Sequence, residues 1–332
     1  MSENINKVFD TVKSIAKGAV SVYKTDSGIS FSRFTKKQEN AYTSKEALRI
    51  RSACPSGVCF DFYTNSKSVK IGYKVLNFAR NWLYFDLFID GFFSKSEGCE
   101  PLQNKGEIEF AFDIYDEKSH RITIYLPHLC ELEITGFKLD DSAEIKSVPA
   151  YDKSILFMGD SITQGMDARH PSFAYPVQVC MDLNANLLNQ GVGGYVFDSD
   201  AIDENLNYNP DMIFVAYGTN DWQRYETKEE FLNKVTQFFK KLTEVYDKNK
   251  IHVLTPIWRY DINEEKSMGS FFELTDIIKN VCNEYEIPKV TDGLNLTSHD
   301  TKFFGSQKNL HPNDLGFTHY AKNLLRVIKN EF

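Results

Sequence analysis

The sequence predicts two domains of different class: an antiparallel β-sandwich followed by an α/β domain on a doubly wound parallel sheet. Three observations carry this. Between about residue 29 and residue 148, apolar residues recur with period two in short runs broken by turn residues. Beyond residue 149 the pattern changes to continuous apolar runs separated by segments of helical spacing. The length, 332 residues, suffices for two ordinary cores. The expected division is 1–148 and 149–332.

The first twenty residues place Val8, Val12, Ile15 and Val20 among lysines, a spacing that fits a short amphipathic helix. Alternating runs follow at Val69–Tyr73, Trp82–Ile89, Gly106–Ile114, Arg121–Leu126 and Cys130–Phe137. Asp90-Gly91 turns the chain after the second run. Many short strands without a long helix among them point to a sandwich. The polar stretch 139–144 and Pro149 mark the junction.

The second half reads as strand, loop and helix in repetition. Strands are expected at Ser154–Met158, Asn186–Leu188, Met212–Tyr217, Ile251–Thr255 and Lys289–Thr291. Helices are expected at Tyr175–Leu183, Thr227–Tyr246, Phe271–Tyr285 and Pro312–Lys329. Parallel strands buried on both faces give such uninterrupted apolar runs, and the helices are the crossovers.

Composition narrows the function. The formal net charge is −8 and no lysine/arginine block occurs, which argues against a nucleic-acid groove. No apolar stretch reaches the ~20 residues that span a bilayer. The six cysteines are scattered, and the N-terminus has no basic head before an apolar core, so the expected setting is a reducing cytoplasm. Histidines 120, 128, 170, 252, 299 and 319 form no H-x-x-x-H or H-E-x-x-H arrangement, and no glycine-rich phosphate loop is present. The chain is expected to need no metal and no cofactor.

In an open parallel sheet the usable crevice lies beyond the carboxyl ends of the strands. Ser161 follows the first predicted strand, Gly193-Gly194 the second, and Asn220-Asp221 the third; His311 precedes the last helix. Singly, each has a structural role available: helix cap, turn, Asx-turn and helix start. Asp160 suits the turn itself better than proton transfer. Together, Ser161 and His311 supply a nucleophile and a base for ester hydrolysis. The N–H groups of Ser161 and Gly194 and the Asn220 amide supply donors for the oxyanion that attack creates.

These residues stand in GDSITQG (159–165), NQGVGG (189–194), GTND (218–221) and HPND (311–314), four blocks that resemble those of the SGNH (GDSL-type) hydrolases. The resemblance covers about 150–332 and implies a nucleophile at Ser161, an oxyanion site at Ser161, Gly194 and Asn220, and a base at His311. The chain as a whole resembles two-domain relatives with an N-terminal β-sandwich, which implies removal of acetyl groups from carbohydrates. The expected substrate is therefore a small acyl ester of a polar alcohol, with an O-acetylated saccharide as the best candidate. The alternative is a carbohydrate-binding or scaffold protein on an inactivated frame.

One position departs from the pattern. Family members usually have an aspartate three residues before the histidine, and here Lys308 stands there. Three outcomes are open: a Ser161–His311 dyad oriented by a backbone carbonyl, a substitute acid among Asp292, Asp300 and Asp314, or lost activity. Trp222, Trp258, Tyr195 and Phe173 lie near the predicted loops and are candidates for pocket walls as much as for core.

Overall fold

The computed structural model describes residues 2–305 and 310–329, so Lys308 lies outside the described residues. The N-terminal strands pair antiparallel in two sheets. One runs in the order Ala16–Lys17, Cys59–Thr64, His120–Tyr125, Leu83–Ile89 and Phe92–Cys99, with Ile145–Ser147 also paired to Cys59–Thr64. The other runs Ser21–Lys24, Ile29–Ser32, Cys130–Leu139, Ser68–Phe78 and Lys105–Ala111. Alternation gives each sheet an apolar face. Phe60, Phe62, Phe85 and Ile124 of the first share one buried core with Val69, Ile71, Phe110 and Ile134 of the second. The helix Ser2–Ile15 adds Val12 and Ile15 to that core, while Val20 lies past its end.

Two short helices, Lys36–Ala41 and Glu46–Ala53, precede the strand Cys59–Thr64 and were not anticipated from sequence. Each is too brief for a helical period to declare itself. The first is started by a capping box between Thr35 and Gln38.

The second half forms a five-stranded parallel sheet in the order Asn186–Gly191, Ser154–Gly159, Met212–Ala216, Ile251–Leu254 and Lys289–Thr291. Successive side chains point to opposite layers. Leu156, Met158, Ile213 and Val215 pack with the helices Lys228–Val245 and Phe271–Glu284. Ile155, Phe157, Met212 and Phe214 pack with Tyr175–Asp182 and Asp314–Ile328. The chain winds one way from Ser154–Gly159 to its first neighbour and the other way to Met212–Ala216. Between the carboxyl ends of those two strands lies the topological switch point, where such sheets bind ligands.

The sandwich is bonded directly to that rim. Arg33 is fully buried and donates to the carbonyls of Cys54, Arg51, Asn189 and Gly191. Burial lowers its pKa to about 10. His128 Nε2 lies 3.0 Å from the carbonyl of Gly165. Asp86 accepts from both the amide and the hydroxyl of Ser172, at 2.9 and 2.6 Å.

Candidate active site

The strand Ser154–Gly159 ends in a turn that presents a serine. A Cβ on Gly159 would strike Thr163 Oγ1 and the carbonyl of Ala216, so only glycine lets the chain turn here. Asp160 then caps the short helix Ser161–Gln164, accepting from Ile162 N at 2.9 Å. Burial pushes its carboxyl up to about 7. Ser161 is the first helical residue and is 4% exposed. Its N–H has no intrahelical partner at that position.

His311 comes from the loop before the helix Asp314–Ile328. Its carbonyl accepts from Gly305 N at 2.8 Å, and Phe304 bridges to Pro312, which holds the loop against the preceding segment. His311 Nε2 stands 2.9 Å from Ser161 Oγ. On the far side of the ring, Nδ1 lies 3.4 Å from Asp167 Oδ2. Among the described residues neither atom has another hydrogen-bond partner, and both are buried. At 3.4 Å the contact is an ion-pair distance rather than a well-formed hydrogen bond, and such bonds tighten when substrate binds.

Asp167 occupies a left-handed backbone position, φ +72, in the turn just after the serine helix. Its other oxygen, Oδ1, accepts from Arg80 Nε at 2.7 Å, and Arg80 Nη2 lies 2.6 Å away. Burial works to raise the Asp167 carboxyl. The His311 imidazole and the Arg80 guanidinium outweigh it and hold the group below the usual carboxylate range. Asp167 and Arg80 were both missed in the sequence, where no local motif marks either.

The acids expected to orient the ring are elsewhere. Asp300 caps Lys302 N and pairs with Lys302 Nζ at 2.8 Å. Asp292 caps Leu294 N and pairs with Lys279 Nζ at 3.0 Å. Asp314 Oδ1 accepts from Arg169 N. Asp300 and Asp292 are committed to their own turns and Asp314 to the backbone at Arg169, so the carboxylate at His311 is Asp167 and none of these three.

Between residues 192 and 195 the loop after Asn186–Gly191 has nearly every backbone group engaged. Val192 N donates to Gly159 O, Gly193 N to Gln164 Oε1, and Tyr195 N to Val192 O. The carbonyls of Gly193, Gly194 and Tyr195 accept from Arg51, Arg224 and Asn220. Among the described residues, Gly194 N–H alone in this stretch has no partner. Gly194 has φ +83, and the space its Cβ would take is filled by Arg51 Nη1, 2.9 Å from that point. Asn220 Nδ2 donates to Tyr195 O at 3.0 Å, and its second amide N–H has no partner among the described residues. Asp221 takes Phe197 N and Gly218 N and fastens the same loops together.

The aromatic expectations divide. Trp222 is fully buried, packed on Phe271 with its Nε1 donating to Gly269 O; it belongs to the core and walls no pocket. Tyr195 is likewise core, edge-on to Tyr42. Phe173 faces a separate groove with Phe88, Phe93 and Met181, whose lining includes neither Ser161 nor His311. Trp258 is half-buried against Phe304, in the neighbourhood of the His311 loop. An open cavity of about 420 Å³, lined by Arg80, Trp82, Asp167, Arg169 and Gly305 among others, adjoins the Asp167 carboxylate. Among the described residues no three His, Cys, Asp or Glu side chains gather as a metal site. No helix there is long and apolar enough to cross a membrane.

The arrangement has the parts of an acyl-transfer centre: a hydroxyl on an imidazole, a carboxylate behind it, and N–H donors on the adjoining loops with no partner among the described residues. Solved structures of similar fold are found across both halves of the chain. A salicylyl-acyltransferase of a tetracycline biosynthetic pathway superposes with TM-score 0.80 at 16% identity, covering 95% of this chain and 94% of its own. A protein of Bacteroides ovatus named as a GDSL-like lipase gives 0.74 at 19%, covering 96% of each. A family two carbohydrate esterase from Clostridium thermocellum, solved with cellohexaose, gives 0.66 at 15%, covering 95% and 98%. At such identities the likeness is one of fold. No curated protein matches the sequence. Residues 157–318 match the family described as GDSL-like lipase/acylhydrolase, a span that begins within the serine strand and ends beyond His311. The C-terminal half of this chain, over those residues, therefore belongs to the GDSL-like lipase/acylhydrolase family.

Proposed function

We propose that this acylhydrolase removes a small acyl group, acetyl, from a polar alcohol such as an O-acetylated saccharide. The observation that carries the reading is the line Asp167–His311–Ser161, with 3.4 Å and 2.9 Å between successive atoms. With Nδ1 protonated toward Asp167, His311 Nε2 accepts the Ser161 O–H as the oxygen attacks the ester carbonyl. The carbonyl oxygen becomes an anion facing Ser161 N–H, Gly194 N–H and the free amide N–H of Asn220. Asp167 stabilises the imidazolium, which then protonates the leaving alcohol. Water activated by His311 releases the acyl group from Ser161.

The carbohydrate esterases among the structural neighbours support a saccharide as the alcohol. The polar cavity beside Asp167 offers a place for it, with Trp82 and Arg169 on its lining. On this reading the chain divides near residue 148, and the N-terminal half completes the centre through Arg80.

Hydrolysis of p-nitrophenyl acetate tests the proposal. Ser161→Ala should lower the rate at least ~100-fold. An inert scaffold on the same fold gives equal rates for both proteins, and that result would remove the hydrolytic reading.

A further inference from the structure

Arg51 lies in the sandwich half, on the helix Glu46–Ala53, yet its guanidinium ends on the loop beside the nucleophile. Nη1 donates to the carbonyl of Gly193 at 2.9 Å. That carbonyl and the N–H of Gly194 belong to one peptide unit, and the unit is trans, since the cis bond among the described residues is Glu100–Pro101. In a trans peptide the C=O and the N–H point in opposite directions. A cation on the oxygen draws electron density through the amide and makes the opposite N–H a stronger donor. Gly194 N–H is the group that this loop leaves unpartnered.

We infer that Arg51 is a positioning residue of the oxyanion site, polarising and orienting the Gly193–Gly194 peptide so that Gly194 N–H meets the developing charge. The inference rests on the hydrolytic reading above and adds a residue of the other half to it. Three further contacts fit this role and fit a loose surface arginine poorly. The backbone carbonyl of Arg51 accepts from Gln164 Nε2 at 2.8 Å and from Arg33 Nη2 at 3.1 Å. Gln164 Oε1 at the same time accepts Gly193 N at 2.8 Å, so one side chain ties the Arg51 helix to the glycine loop. Among the described residues no carboxylate lies within ion-pair distance of Arg51, and its charge is left to act on the peptide it touches. Glycine suits position 194 because φ is +83, and a Cβ there would press on Arg51 Nη1.

The test compares wild type, Arg51→Met and Arg51→Lys in kcat and KM for p-nitrophenyl acetate, and in inhibition by an aryl trifluoromethyl ketone, whose serine adduct carries an oxyanion. Arg51→Met is expected to lower kcat about tenfold, less than outright removal of an oxyanion donor, with a smaller change in KM. Its ketone affinity should fall by the factor lost in kcat/KM, and Arg51→Lys should restore part of both. If Arg51→Met changes kcat and ketone affinity less than twofold, or lowers only the melting temperature, the inference is overturned. Loss of activity in Ser161→Ala alongside such a result leaves the hydrolase reading standing; equal rates for wild type and Ser161→Ala remove both.

Discussion

Arg80 and His311 share one carboxylate: Asp167 accepts from Arg80 Nε through Oδ1 at 2.7 Å and faces His311 Nδ1 with Oδ2 at 3.4 Å. The arginine belongs to the sandwich half, the aspartate to the turn after the Ser161 helix and the histidine to the last loop. The centre is therefore composite, and its acid is held from behind by a residue outside the hydrolase sheet.

Removal of the acid should show in turnover. Asp167→Asn keeps the shape but loses the charge that stabilises the imidazolium, and kcat should fall ~10²–10⁴-fold. Asp292→Asn and Asp300→Asn, assayed beside it, should stay within about twofold, since each is bonded to its own turn. A loss in either of those with none in Asp167→Asn would reverse the assignment.

Arg80→Ala leaves Asp167 buried without its cation. Both side chains are nearly enclosed, at 13% and 8% exposed. Breaking such a pair costs about 3 kcal/mol, so thermal unfolding should occur several degrees earlier. Arg80→Lys should recover part of the stability. Unchanged melting in Arg80→Ala would mean that solvent reaches the carboxylate.

Asn220→Ala removes an amide that braces the glycine loop at Tyr195 O and that, on the proposed mechanism, offers its second N–H to the oxyanion. The expected cost is ~10²–10³ in kcat, with the helices and sheets intact by circular dichroism. A change confined to KM would place Asn220 in ground-state binding instead.

His128 links the halves through Gly165 and is buried, and burial lowers its pKa from 6.5 to about 4. The unfolded chain therefore binds more protons at this site between those values. The neutral ring's contribution is complete above about pH 6.5 and is lost as the pH falls to about 4, a change of about 3 kcal/mol. His128→Gln removes that component, so the stability gap between variant and wild type should narrow on acidification through this window. A gap independent of pH would show that His128 titrates alike in both states.

Much of the frame was legible in the sequence, and for identifiable reasons. Apolar runs at Ser154–Gly159 and Met212–Ala216 are continuous because both faces are covered, and period-two runs such as Lys105–Ala111 mark a sheet with one covered face. The strand Phe92–Cys99 is not legible in the sequence because none of its residues is buried and it shows no alternation. Trp222 and Tyr195 sit next to the motifs in sequence but inside the core in space, since burial depends on what packs against a side chain. Proximity along the chain could not separate them from Trp258.

By itself, the sequence determined that Ser161, Gly194, Asn220 and His311 follow strands or precede a helix at one rim, because hydrophobic period and turn chemistry are local properties. Tertiary structure alone decided which acid faces His311 and which arginines reach Asp167 and the glycine loop. Asp167 is 87 residues from Arg80, and Arg51 is 142 residues from Gly193. Charges and hydrogen bonds act through space over a few ångströms, so partners that far apart in the chain become partners only when two packed halves bring them together.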